Sequence, residues 1–487
     1  MSDQPTNPTN PNSAASGDRW AVVGGGMLGL TLALRLAQKG QRVTLLEAAP
    51  ELGGLASVWK LGPLTWDRHY HVTLLSDSRL RALIEEVGLA DQTRWVETKT
   101  GFFSGGRMHS MSNTVEFLSF PPLKLIEKFR LGMTIFGASK IRRWEPLEEV
   151  SVADWLRKWS GRGAFEKIWL PLLKSKLGDA YQKTSAAFIW AHINRMYAAR
   201  RSGLKKEMFG YVRGGYANLL DHLAYRLDQL GVDIVCNAPV AEANPTDSGA
   251  VRVRYGAEAD AAAEFDHVVF TTPSPVVSRS VPALNEDQRA RHEGVEYLGI
   301  VCASLLLKKP LTEYYVTNIT DESPFTAVIE MTTIVDPEEL GGRTLVYLPK
   351  YAMPGDPVFG LSDDELREEW LAALERMHPH FSRDQVEAFR VSRVKRVMAL
   401  PTIGYSKRLP AMATGVPGVY AVNSAHILKG NLNVNETIEV AEEAIDGVLK
   451  PALDAALDSA RGLGRRPNAP NPEAAHADAD RELVARS

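Results

Sequence analysis

The sequence predicts an α/β protein in which a Rossmann-type dinucleotide-binding domain carries an inserted α+β domain. Two observations near the N-terminus and one about size lead there. A glycine-rich turn joins an apolar strand to a helix, and a second strand follows that ends in an acid. The chain has 487 residues, 45% of them hydrophobic and 24% charged. That is the mixture of a soluble globular protein, and the length is too great for one ordinary domain.

Trp20-Ala21-Val22-Val23 is a short buried-strand run. Gly24, Gly26 and Gly29 follow in G-x-G-x-x-G spacing, and Leu30 to Ala37 reads as a helix that stops at Gly40. Gln41 to Glu47 is the second strand. A glycine triplet alone is weak; strand, turn, helix, strand and terminal acid together make a dinucleotide fingerprint. Gly24 permits the tight turn, Gly26 lets the backbone approach a pyrophosphate, and Gly29 lets the helix lie close on the strand. Met27 and Leu28 open the helix, where unpaired N–H groups attract an anion. Glu47 is placed to accept hydrogen bonds from ribose hydroxyls, which disfavours a 2′-phosphorylated cofactor. The most apolar stretch, Ala21 to Ala37, holds four glycines and Arg35, so the fingerprint explains it better than a membrane span does.

Composition removes several function classes. Fifty-six Lys+Arg against 59 Asp+Glu give a net charge of −3, so no global basic field argues for nucleic acid. Cys236 and Cys302 are the only cysteines, which excludes a disulfide framework, a cysteine-based zinc site and an iron–sulfur cluster. No metal site is expected, and the usage fits a reducing cytoplasm. Residues 1–17 show no signal peptide and read, like 451–487, as a solvated tail.

Further along, six residues past Glu47, lies a second glycine pair, Gly53-Gly54, in EAAPELGGLAS. Tyr211-Val212-Arg213-Gly214-Gly215 precedes a helix and GVDIVCNAPV. FDHVVFTTPSPVV and GVYAVNSAHILKGNLNVNETIEVAEEAIDGVL come later. From about Asp18 to Leu449 the chain resembles the flavoprotein superfamily of amine oxidases, phytoene desaturases and protoporphyrinogen oxidases. The resemblance implies FAD in a discontinuous domain of residues 18–98, 207–280 and 395–450, and with no cysteine near the closing segment for a thioether the FAD is expected to be bound non-covalently. It implies that Gly53 and Gly54 pass close to the diphosphate and ribityl chain and that Val240 offers its backbone to the adenine. The helix N-terminus near Asn435 would point N–H groups at the electron-rich side of the flavin. Two departures stand out. Many members carry an arginine directly after the second glycine pair, where this chain has Leu55. Most carry Gly-Asp after the closing strand, where this chain has Asn423-Ser424; Asn423 is expected to bond the ribityl or pyrophosphate group without a charge.

Residues 99–206 and 281–394 are expected to build the substrate domain, a sheet roof with a helical cap. TGFFSGGRMHSMS reads as a hairpin turning at Gly105-Gly106, VCASLLL, FTAVIEM and TLVYLPKY as strands, and Asp363 to Met377 as a helix. Trp144, Trp155, Trp159, Trp169 and Trp190 read as helix packing, with one or two available to line an apolar or sugar-like cavity. The segment 66–75, WDRHYHVTLL, gathers Asp67, Arg68, His69, Tyr70 and His71 where related flavoproteins run beside the flavin ring. Arg68, His69 and His71 are the candidate catalytic residues. A histidine near pKa 6.5 can trade a proton, and an arginine can stabilise an anionic reduced flavin. The plainer alternative is an Asp67–Arg68 ion pair with both histidines satisfying backbone groups. As a strand, the segment would put His69 and His71 on one face. Cys302 falls about where amine oxidases of this superfamily place a lysine, which argues against a typical amine oxidase. A small buried hydrophobe is the favoured reading of it, and Tyr347 and Lys350 join it as reserve candidates.

The expected function is a cytoplasmic FAD-dependent oxidoreductase, a dehydrogenase, desaturase or oxidase, moving a hydride from a small organic molecule to flavin N5. Terpenoid or other lipid, porphyrin precursor, amine and nucleotide sugar all fit as substrates. Two rivals stand beside it: a UDP-galactopyranose mutase-like enzyme acting on a nucleotide sugar without net oxidation, and a flavin-binding scaffold without turnover. Lys124 to Arg143, KLIEKFRLGMTIFGASKIRR, sets six basic residues against Glu127 alone, with Leu, Ile, Phe and Met at helical spacing. It reads as a cap helix with solvated lysines, the favoured form, or as a basic amphipathic helix on an anionic membrane surface.

Overall fold

Five parallel strands build the dinucleotide sheet, in the order 233–235, 42–46, 19–23, 267–270 and 419–421. The structure, a computed structural model, describes residues 17–199, 208–428 and 432–460. The central strand Arg19–Val23 is covered on both faces. Trp20 and Val22 point into the cluster under the Met27–Gln38 helix, and Ala21 and Val23 into the one beside the 240–265 strands. That is why a run without polar alternation forms this strand. All five strands end at one edge, so the loops after Val23, Leu46, Val235, Phe270 and Ala421 gather there. Ligands of doubly wound sheets bind in that crevice.

The second sheet has seven strands, ordered 386–399, 297–307, 344–352, 327–330, 316–319, 100–104 and 107–110. The hairpin of the earlier segment, turning at Gly105 (φ 61°) and Gly106 (φ 70°), therefore completes a sheet built mostly from the later one. Tyr297–Leu307 is buried at every position. On one face Val301, Ala303 and Leu305 meet Trp370 of the Asp363–Met377 helix. On the other, Ile300, Cys302 and Leu306 meet Trp66 and Tyr347. Helices Leu125–Ala138, Val152–Ser160 and Ala186–Ala199 form the cap. Packing accounts for four of the five tryptophans. Trp155 is buried, Trp144 packs in the same cluster, Trp169 Nε1 donates to Ser160 Oγ at 3.0 Å, and Trp190 Nε1 donates to the Ile141 carbonyl at 3.2 Å. Trp159 is exposed at the surface.

The C-terminal expectation needs correction. The chain does not loosen at 451: Lys450–Ala460 is a helix, because Leu453 and Ala456, one turn apart, find a core to bury against. Residues 1–16 and 461–487, also expected as tails, lie outside the described residues. No helix among the described residues is long and apolar enough to cross a membrane.

One carboxyl lies inside the roof. Glu330, 1% exposed, accepts through Oε2 from the N–H groups of Leu311 (3.2 Å) and Thr312 (2.8 Å). Burial pushes its carboxyl up to about 8, and those two N–H groups offset only part of that. A carboxyl whose pKa is raised on folding contributes stability that is complete below the unfolded value of about 4.5 and is lost as pH climbs through about 8. Glu330→Gln keeps an acceptor and removes the titration. Its stability relative to the parent, measured by urea unfolding, should rise between about pH 5 and 8 by up to about 1.4 kcal/mol per pH unit. A difference that stays constant with pH would show that Glu330 remains ionised.

Candidate functional site

Two glycine turns cross at the sheet edge. Gly24, at φ +111°, donates its N–H to the Leu46 carbonyl at 2.8 Å. A Cβ on Gly29 would lie 1.8 Å from the Gly24 oxygen, so only glycine lets the helix start there. The second turn docks on the first: Gly53 N–H donates to the Gly25 carbonyl at 2.8 Å, and Gly26 bridges Gly53. A Cβ on Gly53 would meet the Ser57 nitrogen at 2.9 Å, and one on Gly54 the Gly26 Cα at 3.2 Å. At Gly26 a Cβ would meet nothing nearer than Gly53 O and Gly54 Cα, both at 3.9 Å. The N–H groups of Met27, Leu28 and Gly29 have no intrahelical partner, as at any helix start, and no acid sits in that first turn. A diphosphate fits this cradle.

Glu47 closes it from the side. Its carboxylate accepts from Gly25 N–H at 2.5 Å and Ala49 N–H at 2.7 Å. Each oxygen retains a lone pair, so acceptance from a ribose hydroxyl is still open. Ala238 N–H donates to the Glu47 carbonyl and Asn237 N–H to that of Ala49, which draws the chain toward Val240 against this corner. Val240 opens the strand Val240–Pro245, and its carbonyl accepts from Ser280 Oγ at 3.3 Å.

The side chains of the two asparagines are engaged within the protein. Asn423 is fully buried and its side chain is committed to the protein: Oδ1 accepts from Ala425 N–H at 3.0 Å and Nδ2 donates to Ser274 Oγ at 3.3 Å. It joins the closing turn to the 274–280 helix instead of offering a side chain to the cofactor. Asn435 lies in the first turn of Val434–Asp446, but Oδ1 accepts from the N–H groups of Arg79 (2.9 Å) and Leu80 (3.2 Å). Its side chain caps the neighbouring helix Ser78–Glu86, so only backbone N–H groups near Asn435 are left for a ligand.

Residues 66–75 are not one strand. Leu64–Asp67 is a strand, 68–72 are irregular, and pairing resumes at Thr73–Leu74. The roof takes the place of a ladder partner. Tyr347 Oη donates to the Asp67 carbonyl at 2.5 Å, Ser304 Oγ to that of Arg68 at 3.4 Å, and Arg68 N–H to Ser57 O at 3.0 Å. His69 and His71 accordingly do not share a face. His69, 7% exposed, has Nδ1 at 3.0 Å from the Leu55 carbonyl, which can only accept, so Nδ1 carries the proton. Its Nε2 is buried without a partner. Burial takes this imidazole down to about 4, so it is neutral and Nε2 presents a lone pair.

His71 turns away. Its ring lies 4.5 Å from that of Tyr216, and Nδ1 is 3.9 Å from Asp67 Oδ2. Burial lowers it to about 3 and raises Asp67, which accepts the Tyr216 N–H at 2.8 Å, to about 7. A cavity of about 10 Å³ beside His71, Asp67 and Tyr216 is the size of one water. The Asp67–Arg68 ion pair does not form. Arg68 lies 5.5 Å from the Trp59 ring centroid, with Arg390 at 4.4 Å from the same ring, and its Nε is buried without a partner. Burial and the Arg390 charge depress its pKa, and Glu51 partly restores it.

Sequence reading missed the rest of the cleft. Tyr70 Oη and Tyr351 Oη share a hydrogen bond at 2.9 Å, and Lys176 Nζ sits 4.3 Å over the Tyr351 ring. His192 is driven down to about 4 by burial, with help from Lys176 and Arg195, although its side chain stays exposed. Arg195 pairs with Asp77 at 2.8 Å, and burial raises Glu436 to about 7. Tyr70 and Tyr351 are 281 residues apart, which no local pattern connects. Of the reserve candidates, Cys302 is fully buried, its thiol pushed up by burial, and Tyr347 is spent on Asp67. Lys350 alternates with Val346 and Leu348 onto the opposite face, under the Asp363–Met377 helix.

A family model described as flavin containing amine oxidoreductase matches residues 28–439. The chain is 23% identical over 300 residues to a "Probable zeta-carotene desaturase" of Synechococcus elongatus, covering 54% of this chain and 60% of that protein. It is 28% identical over 168 residues to protoporphyrinogen oxidase 2 of Arabidopsis thaliana, 33% of this chain and 32% of the other. The chain thus spans less than two thirds of the length of these relatives. The solved structure of an oxidoreductase from Methanosarcina mazei matches with a TM-score of 0.70 at 18% identity, covering 88% of this chain and 100% of that one, a likeness of fold. The chain belongs to the flavin-containing amine oxidoreductase family, and FAD is its cofactor.

Glu47→Gln tests the ribose corner. It removes a charged acceptor, a loss of roughly 1.5–3 kcal/mol. FAD affinity of the apoprotein, followed by fluorescence titration, should fall at least about tenfold. Unchanged affinity would place Glu47 away from the ribose.

Proposed function

We propose that this chain is an FAD-dependent oxidoreductase that removes a hydride from a small organic molecule held between roof sheet and cap helices. His69 carries the reading. Its ring is buried, neutral and fixed through Nδ1 to the carbonyl that directly follows the second glycine pair, and its Nε2 is buried with its lone pair unpartnered. An unpartnered acceptor in that position is costly unless a ligand meets it.

FAD supplies the two-electron acceptor when bound. The chain supplies placement. The first glycine turn and the N–H groups of Met27 and Leu28 hold the diphosphate, and Glu47 holds the ribose. His69 Nε2 accepts a hydrogen bond from the flavin or the substrate. Because its pKa stands near 4, it orients a partner and does not trade protons at neutral pH, which replaces the expectation of a histidine titrating near 6.5. Tyr70 and Tyr351 wall the cleft on the roof side, and the roof and cap exclude water. The desaturase and oxidase names of the relatives favour net oxidation over a mutase.

The protein should purify yellow and release FAD on acid precipitation. Anaerobic mixing with an isoprenoid, a porphyrinogen and an amine should bleach the flavin with one of them. His69→Ala is expected to keep FAD while slowing that bleaching by about a hundredfold. His71→Ala should leave the rate near the parent's and lower thermal stability instead. A colourless protein that binds only NAD would overturn the reading, as would turnover appearing only after the flavin is reduced chemically.

A further inference from the structure

The Leu125–Ala138 helix has two apolar faces. Leu131, Thr134 and Ala138 are buried against the cap, where the helix packs on Val152–Ser160 and Ala186–Ala199. On the far side Leu125 is 73% exposed, Ile126 63%, Phe129 65%, Met133 51% and Phe136 48%. At 3.6 residues per turn these five fall within a stripe roughly 100° wide. Leu118, whose carbonyl accepts from Lys128 Nζ at 2.6 Å, and Trp159, whose carbonyl accepts from Arg130 at 3.4 Å, extend it on either side. Soluble surfaces scatter large apolar residues singly; a contiguous stripe with aromatic rings marks an interaction site.

The rim of the stripe is basic. Lys140 Nζ lies 5.1 Å over the Phe136 ring and Lys158 Nζ 5.9 Å over that of Trp159. Arg130 donates to the carbonyls of Lys158 and Trp159. None of the three meets a carboxylate among the described residues. Glu127, the one acid of the segment, is taken by Lys167 at 2.8 Å. Exposed rings with cations above them suit a bilayer interface, where the ring enters the acyl boundary and the cation meets lipid phosphate. A second copy of the chain would bring this basic rim against itself, at a like-charge cost.

We infer that the exposed face of the Leu125–Ala138 helix, with Trp159, is a docking surface for an anionic lipid bilayer. The test uses the full chain in sedimentation with vesicles of phosphatidylcholine alone or mixed with phosphatidylglycerol. Binding to the anionic vesicles should be at least about tenfold tighter and should weaken as salt is raised. The double variant Phe129→Glu and Phe136→Glu should keep its flavin content and circular dichroism while losing at least about tenfold in vesicle binding. Lys140→Glu with Lys158→Glu should remove the preference for phosphatidylglycerol. Equal or absent binding to both vesicle types would overturn the inference, and so would full binding by the Phe variant. A parent that dimerises in ultracentrifugation while the Phe variant stays monomeric would also overturn it, by showing that a second copy covers the face.

Discussion

Everything at the candidate site hangs on the crossing of two backbones, Gly53 N–H on the Gly25 carbonyl. The loops approach so closely that a Cβ on Gly54 would lie 3.2 Å from the Gly26 Cα, and one on Gly53 would strike its own loop at Ser57. The crossing fixes the second loop relative to the diphosphate cradle of the first. It thereby fixes Leu55, whose carbonyl accepts from His69, and Ser57, whose carbonyl accepts from Arg68. One backbone hydrogen bond is worth only about 1 kcal/mol. Its importance here is geometric: a Cβ at Gly53 would displace the loop that orients the buried imidazole.

The roof supplies the other half of that orientation. An irregular segment inside a protein must find partners for its carbonyls elsewhere, because leaving them bare costs about as much as a lost hydrogen bond. Tyr347 and Ser304, on neighbouring strands of the roof, provide two of them. Residues 67–69 are therefore clamped between the glycine crossing below and the sheet above. The clamp leaves Nε2 of His69 and Nε of Arg68 as buried polar atoms with nothing to bond, while Asp67 and Tyr216 satisfy one another.

The dinucleotide half was legible because its signals are local. Glycine spacing, a buried strand and a terminal acid lie within thirty residues of one another and need no tertiary knowledge. The strands and the helix of the roof were legible for the same reason: VCASLLL is apolar without alternation because both faces are covered. What failed depends on contacts distant in sequence. Residues 66–75 read as a strand from composition, but the roof's hydroxyls, not a neighbouring strand, take the carbonyls of Asp67 and Arg68. Asn423 sits where the resemblance puts a side-chain contact to the cofactor, yet Ser274 and Ala425 claim its side chain. The resemblance fixed positions along the chain and could not fix rotamers. Lys450–Ala460 was missed because its composition is that of a tail and only the core beneath Leu453 makes it a helix.

The Leu125–Ala138 helix shows the same limit from the other side. Apolar residues at helical spacing say that a face is covered, and here two faces are apolar, which in sequence is indistinguishable from a helix buried all round. The structure separates them: Leu131 and Ala138 go to the cap, while Phe129 and Phe136 go to solvent. The inward face also ties this helix to the cleft. Asn194 donates to the Ala138 carbonyl at 3.3 Å from the same helix that carries His192 and Arg195. The Leu125–Ala138 helix thus presents an apolar outer surface and packs inward on the helix that carries His192 and Arg195. Arg195 is paired with Asp77, and Lys176 is set against the Tyr351 ring. Burial wins over hydrogen bonding at His69: the Leu55 carbonyl raises its pKa and desolvation lowers it further, so the ring is an uncharged acceptor.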